Sequence, residues 1–325
     1  MDIDILLALQ SFREGSGQFL HDFFMKMTFL TDKETSIVIV ALIYWCVSKE
    51  YGQWLWFGWS INRLINGFLK VTACVYRPWI RDPRIIPDAE AKPGATGYSF
   101  PSGHATNASS IFGSGVLYGK FRPLLRITFA LLIILVALSR TYLSVHTPQD
   151  VLVGLAVGLI VMYLSAKLIS FMDDDPKAER IVVAAGIIIS VLVALYAGLK
   201  SYPTDYDADG KLLVDGVKMA ADTYKAVGWC LAVLTGRLLE KRYVKFSTDV
   251  PLYDKIFRLV AGLISLYFVN LVLCPFIKEL LGKTVGTILS SYILILYIVF
   301  LFPLIFVKME ENRNEKHLYD PCGKF

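Results

Sequence analysis

Histidine is scarce in this chain, with four among 325 residues, His21, His104, His146 and His317. Cysteine is nearly as rare. There are five, Cys46, Cys74, Cys230, Cys274 and Cys322, and no two form a CxxC. Four lie in apolar runs, so they read as thiols packed like small hydrophobes rather than as a metal cage or a disulfide framework. Three common loops are missing: the G-x-x-x-x-G-K-[ST] phosphate loop, the G-x-G-x-x-G dinucleotide turn and the G-x-S-x-G elbow of serine hydrolases. The chemistries that depend on them lose their support. No nucleic-acid-binding motif occurs. A formal charge of +5 is small for this length, so it reads as loop asymmetry rather than a nucleic-acid face. The first residues show no basic segment followed by an apolar run and a small-residue cleavage site, and the first apolar span is expected to direct insertion itself.

Apolar residues are abundant. They make up 55% of the chain, mean hydropathy is +0.53 and aromatics reach 13%. A soluble domain of this size needs less apolar surface. A multi-pass membrane protein needs it on lipid-facing and core positions alike. The pattern predicts an all-α polytopic membrane protein with about nine spans, near residues 24–48, 52–75, 104–118, 124–142, 149–170, 181–199, 223–238, 257–276 and 285–307. An interfacial helix is expected over 1–23. Residues 24–175 form the expected catalytic membrane core, 176–307 carry accessory spans six to nine, and 308–325 form a charged tail. The run Gln53–Trp59 at the start of span two reads as an interfacial aromatic belt.

Span two is unusually polar inside. Asn62, Asn66 and Lys70 recur every four residues, and Arg63, Lys70 and Arg77 every seven, so each set shares a helical face. Counting crossings puts the Lys70 end of span two, the His104 start of span three, the Arg140 end of span four and the Asp150 start of span five on one membrane side. Basic residues outnumber acidic ones on the opposite side and fall short on this one. That predicts N-terminus and site outside the cytoplasm and C-terminus inside. The D-x-D-x-D-G string from Asp205 to Gly210 has the opening of a calcium loop but lacks the glutamate at its twelfth position, and reads as a solvated turn.

Three clusters on the shared side carry chemistry. Lys70, Arg77 and Arg140 bring three cations to the ends of spans, where charge is costly unless it meets an anion or a buried partner. Arginine forks and the compact lysine ammonium both suit phosphate oxygens. In Pro101-Ser102-Gly103-His104 a helix starts behind a residue without a side chain, so backbone N–H groups can approach an anion. His146 precedes Thr147-Pro148-Gln149-Asp150, a helix start with a capping threonine, proline in the first turn and a carboxylate three residues after the cap. That geometry turns Asp150 back toward His146, where it would fix the tautomer and leave the other nitrogen free to attack. The two histidines and the aspartate could ligate a metal, but the cations expected at the same span ends would repel one. Arg63 and Asn66 could support Lys70 from deeper in span two or simply bond neighbouring helices. The triplet Asp32-Lys33-Glu34 could line the mouth of the site or end its span in the headgroups.

These clusters, Lys70 to Arg77-Pro78, Pro101-Ser102-Gly103-His104, and Ser139-Arg140 to His146 to Asp150, resemble the signature K-x6-R-P, P-S-G-H, S-R-x5-H-x3-D of the type 2 phosphatidic acid phosphatase superfamily. The resemblance implies a helical-bundle core in spans two to five. It further implies attack by His146 to form a phosphohistidine, orientation by Asp150, and proton transfer by His104. Lys70, Arg77, Ser102, Gly103 and Arg140 would hold the phosphoryl oxygens, with no cofactor and no metal. The nine-span layout is similar to the glucose-6-phosphatase branch.

The function expected is therefore an integral membrane phosphatase acting on a phosphorylated or diphosphorylated lipid at the non-cytoplasmic face. Isoprenyl diphosphate, phosphatidic acid, phosphatidylglycerol phosphate and a sphingoid phosphate all fit, and no nucleic-acid partner is expected. A phosphatase for a soluble sugar phosphate is the alternative. Vanadate-dependent halide oxidation, known in soluble members of the resembled family, and a non-catalytic transporter fit less well, the latter because His104, His146 and Asp150 are all intact.

Overall fold

The computed structural model describes residues 2–319, with side chains through Arg313. Cys322, with the rest of 320–325 at the end of the expected charged tail, lies outside the described residues, and so does the His317 side chain. Every regular element among the described residues is a helix. In order they are α1 (Asp2–Gly15), α2 (Gly17–Phe29), α3 (Lys33–Leu42, continued by a π turn at Ile43–Val47), α4 (Lys49–Ala73), α5 (Pro78–Arg81), α6 (Gly103–Ala108), a π turn at Ser109–Gly113, and α7 (Ser114–Leu117). Then follow α8 (Pro123–Tyr142), α9 (Pro148–Asp174), α10 (Pro176–Leu199), α11 (Gly216–Tyr243), α12 (Leu252–Phe268, continued by a π turn at Val269–Leu273), α13 (Cys274–Leu281), α14 (Lys283–Leu296, continued by a π turn at Tyr297–Leu301) and α15 (Phe302–Tyr319).

Among the described residues, five helical stretches are long and apolar enough to cross a membrane: Pro123–Tyr142, Pro148–Asp174, Pro176–Leu199, Leu252–Leu281 and Lys283–Arg313. The other four expected spans are also helical, but shorter or more polar. The first is displaced. The chain breaks at Thr31-Asp32, between α2 and α3, in the middle of the stretch expected to run from 24 to 48. Asp32 takes an extended conformation as the N-cap of α3, and its carbonyl accepts from Ser36 N at 2.8 Å. The N-terminal segment is two helices, not one. Leu6 and Gln10 of α1 are buried. Arg13 donates to the carbonyls of Ile86 (2.7 Å) and Tyr142 (3.2 Å), so α1 ties the long loop after α4 to the end of α8.

The central helix is α4, packed on α9 and α11. Ser48 caps it by accepting from Tyr51 N at 3.2 Å, and Cys74 ends it in the left-handed region at φ 48°. The aromatic run at its start is not an interfacial belt. Trp54, Trp56, Phe57 and Trp59 are all buried, and the Trp54 indole N–H donates to the Met162 carbonyl at 3.1 Å. Helices on several sides of α4 supply apolar partners, so burial outweighs the interfacial preference of tryptophan. Farther along α4, Asn62 donates to Ser110 Oγ (2.8 Å) and the Gly158 carbonyl (3.2 Å), joining α4 to α9 and the π turn after α6.

Candidate active site

The P-S-G-H turn is built by three neighbours. Ser102 N donates to the Asp150 carbonyl at 2.9 Å, and the Ser102 hydroxyl caps α6 by accepting from Ala105 N at 3.4 Å. Asn66 donates to Thr106 Oγ1 at 3.1 Å and to the Pro101 carbonyl at 3.4 Å. Gly154 permits the closeness of α9: a Cβ there would lie 2.8 Å from the Ser102 carbonyl oxygen. Glycine at 103 answers a different need. A Cβ there would make ordinary contacts with Arg63 Nη1 at 3.6 Å and Asn66 Oδ1 at 3.7 Å, at the edge of an open space.

That space is a cavity of about 530 Å³ whose wall includes Arg63, Asn66, Lys70, Arg77, Gly103, His104, Arg140 and His146. Of the residues singled out from sequence, Ser102 and Asp150 are buried behind the wall rather than in it. The α9 start has the anticipated form: Thr147 Oγ1 accepts from Asp150 N at 3.2 Å, and Asp150 Oδ2 from Thr147 N at 2.9 Å. The same carboxylate oxygen accepts a short hydrogen bond from the Ser99 hydroxyl and lies 3.4 Å from His146 Nδ1. On the other side of the ring, Arg77 Nη1 stands 2.9 Å from His146 Nε2. Arginine can only donate, so Nε2 must carry the lone pair and Nδ1 the proton. Both partners select one tautomer. Burial first, and the adjacent Arg77 cation next, push the His146 pKa well below the usual histidine range.

The cations are not equally free. Arg77 donates to the carbonyls of Val145 (2.8 Å), Gly97 (3.1 Å) and Thr96 (3.1 Å), so it also pins the loop. Its burial lowers its pKa to about 10. Lys70 donates to the carbonyls of Tyr98 (2.8 Å) and Ser99 (3.3 Å), leaving one ammonium hydrogen. Arg140 is buried and donates to Thr28 Oγ1 at 2.9 Å, while its Nε has no partner. Arg63 makes no hydrogen bond among the described residues, and its guanidinium lies 5.5 Å from the Trp229 ring centroid. Asn66 bonds the P-S-G-H turn rather than Lys70. Positive charge therefore exceeds negative charge around the cavity, a condition that favours an anion.

His104 is paired outside the signature: its Nε2 is 2.8 Å from Asp32 Oδ1. The triplet Asp32-Lys33-Glu34 lines the cavity, and so do Lys218, Asp222 and Lys225 from α11. Sequence reasoning passed over the α11 residues and Ser99. Nothing local marks them, because their partners are distant in the chain. The Asp205–Gly210 string forms a turn in which Asp207 Oδ1 accepts from Asp209 N and Lys211 N, and Asp205 accepts from the Tyr76 hydroxyl at 2.5 Å.

Helices of membrane-crossing length around a buried, predominantly cationic cavity define a multi-pass membrane protein. The chain belongs to the PAP2 superfamily: residues 53–172 match the superfamily itself, and residues 224–314 match the PAP2 superfamily phosphatase, transmembrane extension. Among curated proteins it is similar to phosphatidylglycerophosphatase B of Bacillus subtilis, 32% identical over 111 residues, which is 32% of this chain and 50% of that protein. It is also similar to lipid A 4'-phosphatase of Porphyromonas gingivalis, 34% identical over 111 residues, 33% of this chain and 45% of that protein. The matched region spans about half the length of these relatives. No solved structure matches the chain.

Proposed function

We infer that this protein is a membrane lipid phosphatase that hydrolyses a phosphomonoester or diphosphate of a lipid through a phosphohistidine at His146. The observation that carries this reading is the His146 ring, held between Asp150 at Nδ1 and Arg77 at Nε2, with the Nε2 side facing the cationic cavity. On binding, a phosphoryl oxygen replaces Nε2 as acceptor of the Arg77 N–H, which frees the lone pair. Nε2 then forms the N–P bond while the P–O bond to the lipid breaks. His104 protonates the departing oxygen and later takes a proton from the water that cleaves the N–P bond. Lys70, Arg140 and the N–H groups at Gly103 and His104 stabilise the phosphoryl oxygens, and Ser102 acts behind them by fixing the helix start.

The names of the two relatives favour a phosphorylated membrane lipid, and phosphatidylglycerol phosphate is the first substrate to test. In this reading residues 33–47, α4, 103–117 and α11 cross together with the five apolar stretches, so that the cavity and the 200–215 loop share one side, and the excess of basic residues on the other side favours the non-cytoplasmic face for the cavity. Purified protein should release inorganic phosphate from dioleoyl phosphatidylglycerophosphate, and His146→Ala should abolish release. Turnover that survives this change would sink the mechanism. Labelling of a cysteine placed in the 200–215 loop from the cytoplasmic side alone would overturn the orientation.

A further inference from the structure

The cationic cavity has an apolar neighbour. A second cavity of about 580 Å³ lies between α3, α11, α12–α13 and α14, within the ~300–1,000 Å³ usual for ligand sites. The two share rim residues: Lys33, Glu34 and Lys225 line both. They also touch at depth, because Arg63 of the first stands over Trp229 of the second. Lys278 also lines this second cavity. Its other walls are mostly apolar, with Ile37, Trp229, Leu263, Leu266 and Leu294 among them, and are interrupted by Asn270, Ser290 and Ser291. Lys278 and Leu263 are separated by roughly 22 Å of helix at ~1.5 Å per residue, more than the roughly 15 Å of one leaflet's hydrocarbon. The outer face of α12, with Ile264, Tyr267 and Phe268, is exposed, so the groove lies at the perimeter of the bundle, where lipid would reach it.

We propose that this groove holds the hydrocarbon chain of the lipid whose phosphate occupies the cationic cavity, so that the helices α11 to α14 of the transmembrane extension select for a long-chain substrate. The assignment rests on the phosphatase reading of the site. A headgroup at the shared rim meets Lys33 and Lys225, which suit its negative charge. A chain leaving that rim enters a mostly apolar groove that shares its rim with the cavity, and burial there removes hydrocarbon from water. The charged rim and apolar depth run in the same sense as a phospholipid in a leaflet.

The test compares two substrates with the same headgroup, dioleoyl and dihexanoyl phosphatidylglycerophosphate in detergent micelles. Leu266→Trp and Leu263→Trp fill the groove and touch none of the catalytic groups. Each should raise KM for the dioleoyl compound about tenfold or more while kcat/KM for the dihexanoyl compound stays within about twofold. Equal losses on both substrates, or no loss on either, would overturn the groove assignment and leave the phosphatase reading intact. Wild-type protein that hydrolyses neither compound refutes both. A second measurement does not depend on how the variants fold. Wild-type protein irradiated with a phosphatidic acid bearing a diazirine in its acyl chain should be labelled in α3, α11, α12 and α14. Labelling confined to α8 and α10 would rule the groove out.

Discussion

Asp150→Asn is the sharpest test of the proposed chemistry. The Asp150 carboxylate accepts from Thr147 N at 2.9 Å and from the Ser99 hydroxyl, and it stands 3.4 Å from His146 Nδ1. An amide keeps the shape and one oxygen. That oxygen can still accept from Thr147 N, so the start of α9 should weaken by only about 1 kcal/mol, as for a compromised cap. The amide oxygen that takes the Oδ2 position keeps Thr147 N, the Ser99 hydroxyl and His146 Nδ1 as neighbours, so the tautomer survives. What is lost is the negative charge, which stabilises the cation that His146 becomes when Nε2 attacks. A matching Asp→Asn change behind a catalytic histidine costs roughly 10⁴-fold in turnover, about 5 kcal/mol of barrier. The assay is phosphate release in detergent at saturating substrate, alongside a thermal melt of the same preparation. The expected result is a near-native Tm with turnover close to background. A variant that folds and keeps kcat within about tenfold of wild type would refute the proposed role of the Asp150 charge.

Other outcomes follow from the same geometry. Because burial and Arg77 hold His146 neutral, the acid limb of kcat/KM should fall well below 6.5, and Arg77→Gln should move it upward, toward 6.5. The stability sign agrees: below pH 6.5 the unfolded chain protonates His146 and the folded one does not, so stability drops as pH falls through that range. Asp32→Asn, which removes the carboxylate 2.8 Å from His104 Nε2, should lower kcat for lipid phosphates roughly 10²-fold. It should slow p-nitrophenyl phosphate far less, since that leaving group needs little protonation. Similar losses on both would argue against proton transfer by His104. Gly154→Ala places a Cβ 2.8 Å from the Ser102 carbonyl. It should cost roughly 1–3 kcal/mol by overpacking, read as a lowered Tm together with a raised KM.

Much of this molecule is local and therefore legible in its sequence. Apolar stretches of membrane length declare helices. The threonine cap of α9 and its answering carboxylate lie three residues apart, so Thr147 and Asp150 reveal their geometry without a fold. The spacing within the motif stretch carries the family. By contrast, the polar interior of α4 said only that its residues needed partners. The tertiary structure chose them: Asn62 went to Ser110 and Gly158, Asn66 to Pro101 and Thr106, and Arg63 to the face of Trp229. The tryptophans of α4 read as a membrane belt because composition cannot tell lipid from protein as an apolar surrounding, and only the helices packed around them settle which it is. The Asp32–His104 pair spans 72 residues, and the Ser99–Asp150 bond spans 51. Contacts at such separations leave no periodicity in the chain, because they are set by how helices approach rather than by how each one turns. Local sequence was enough for most of the helices, the family and the candidate site residues. Only the packing decided which of those donors are free, which carboxylate faces His104, and where the cavity opens.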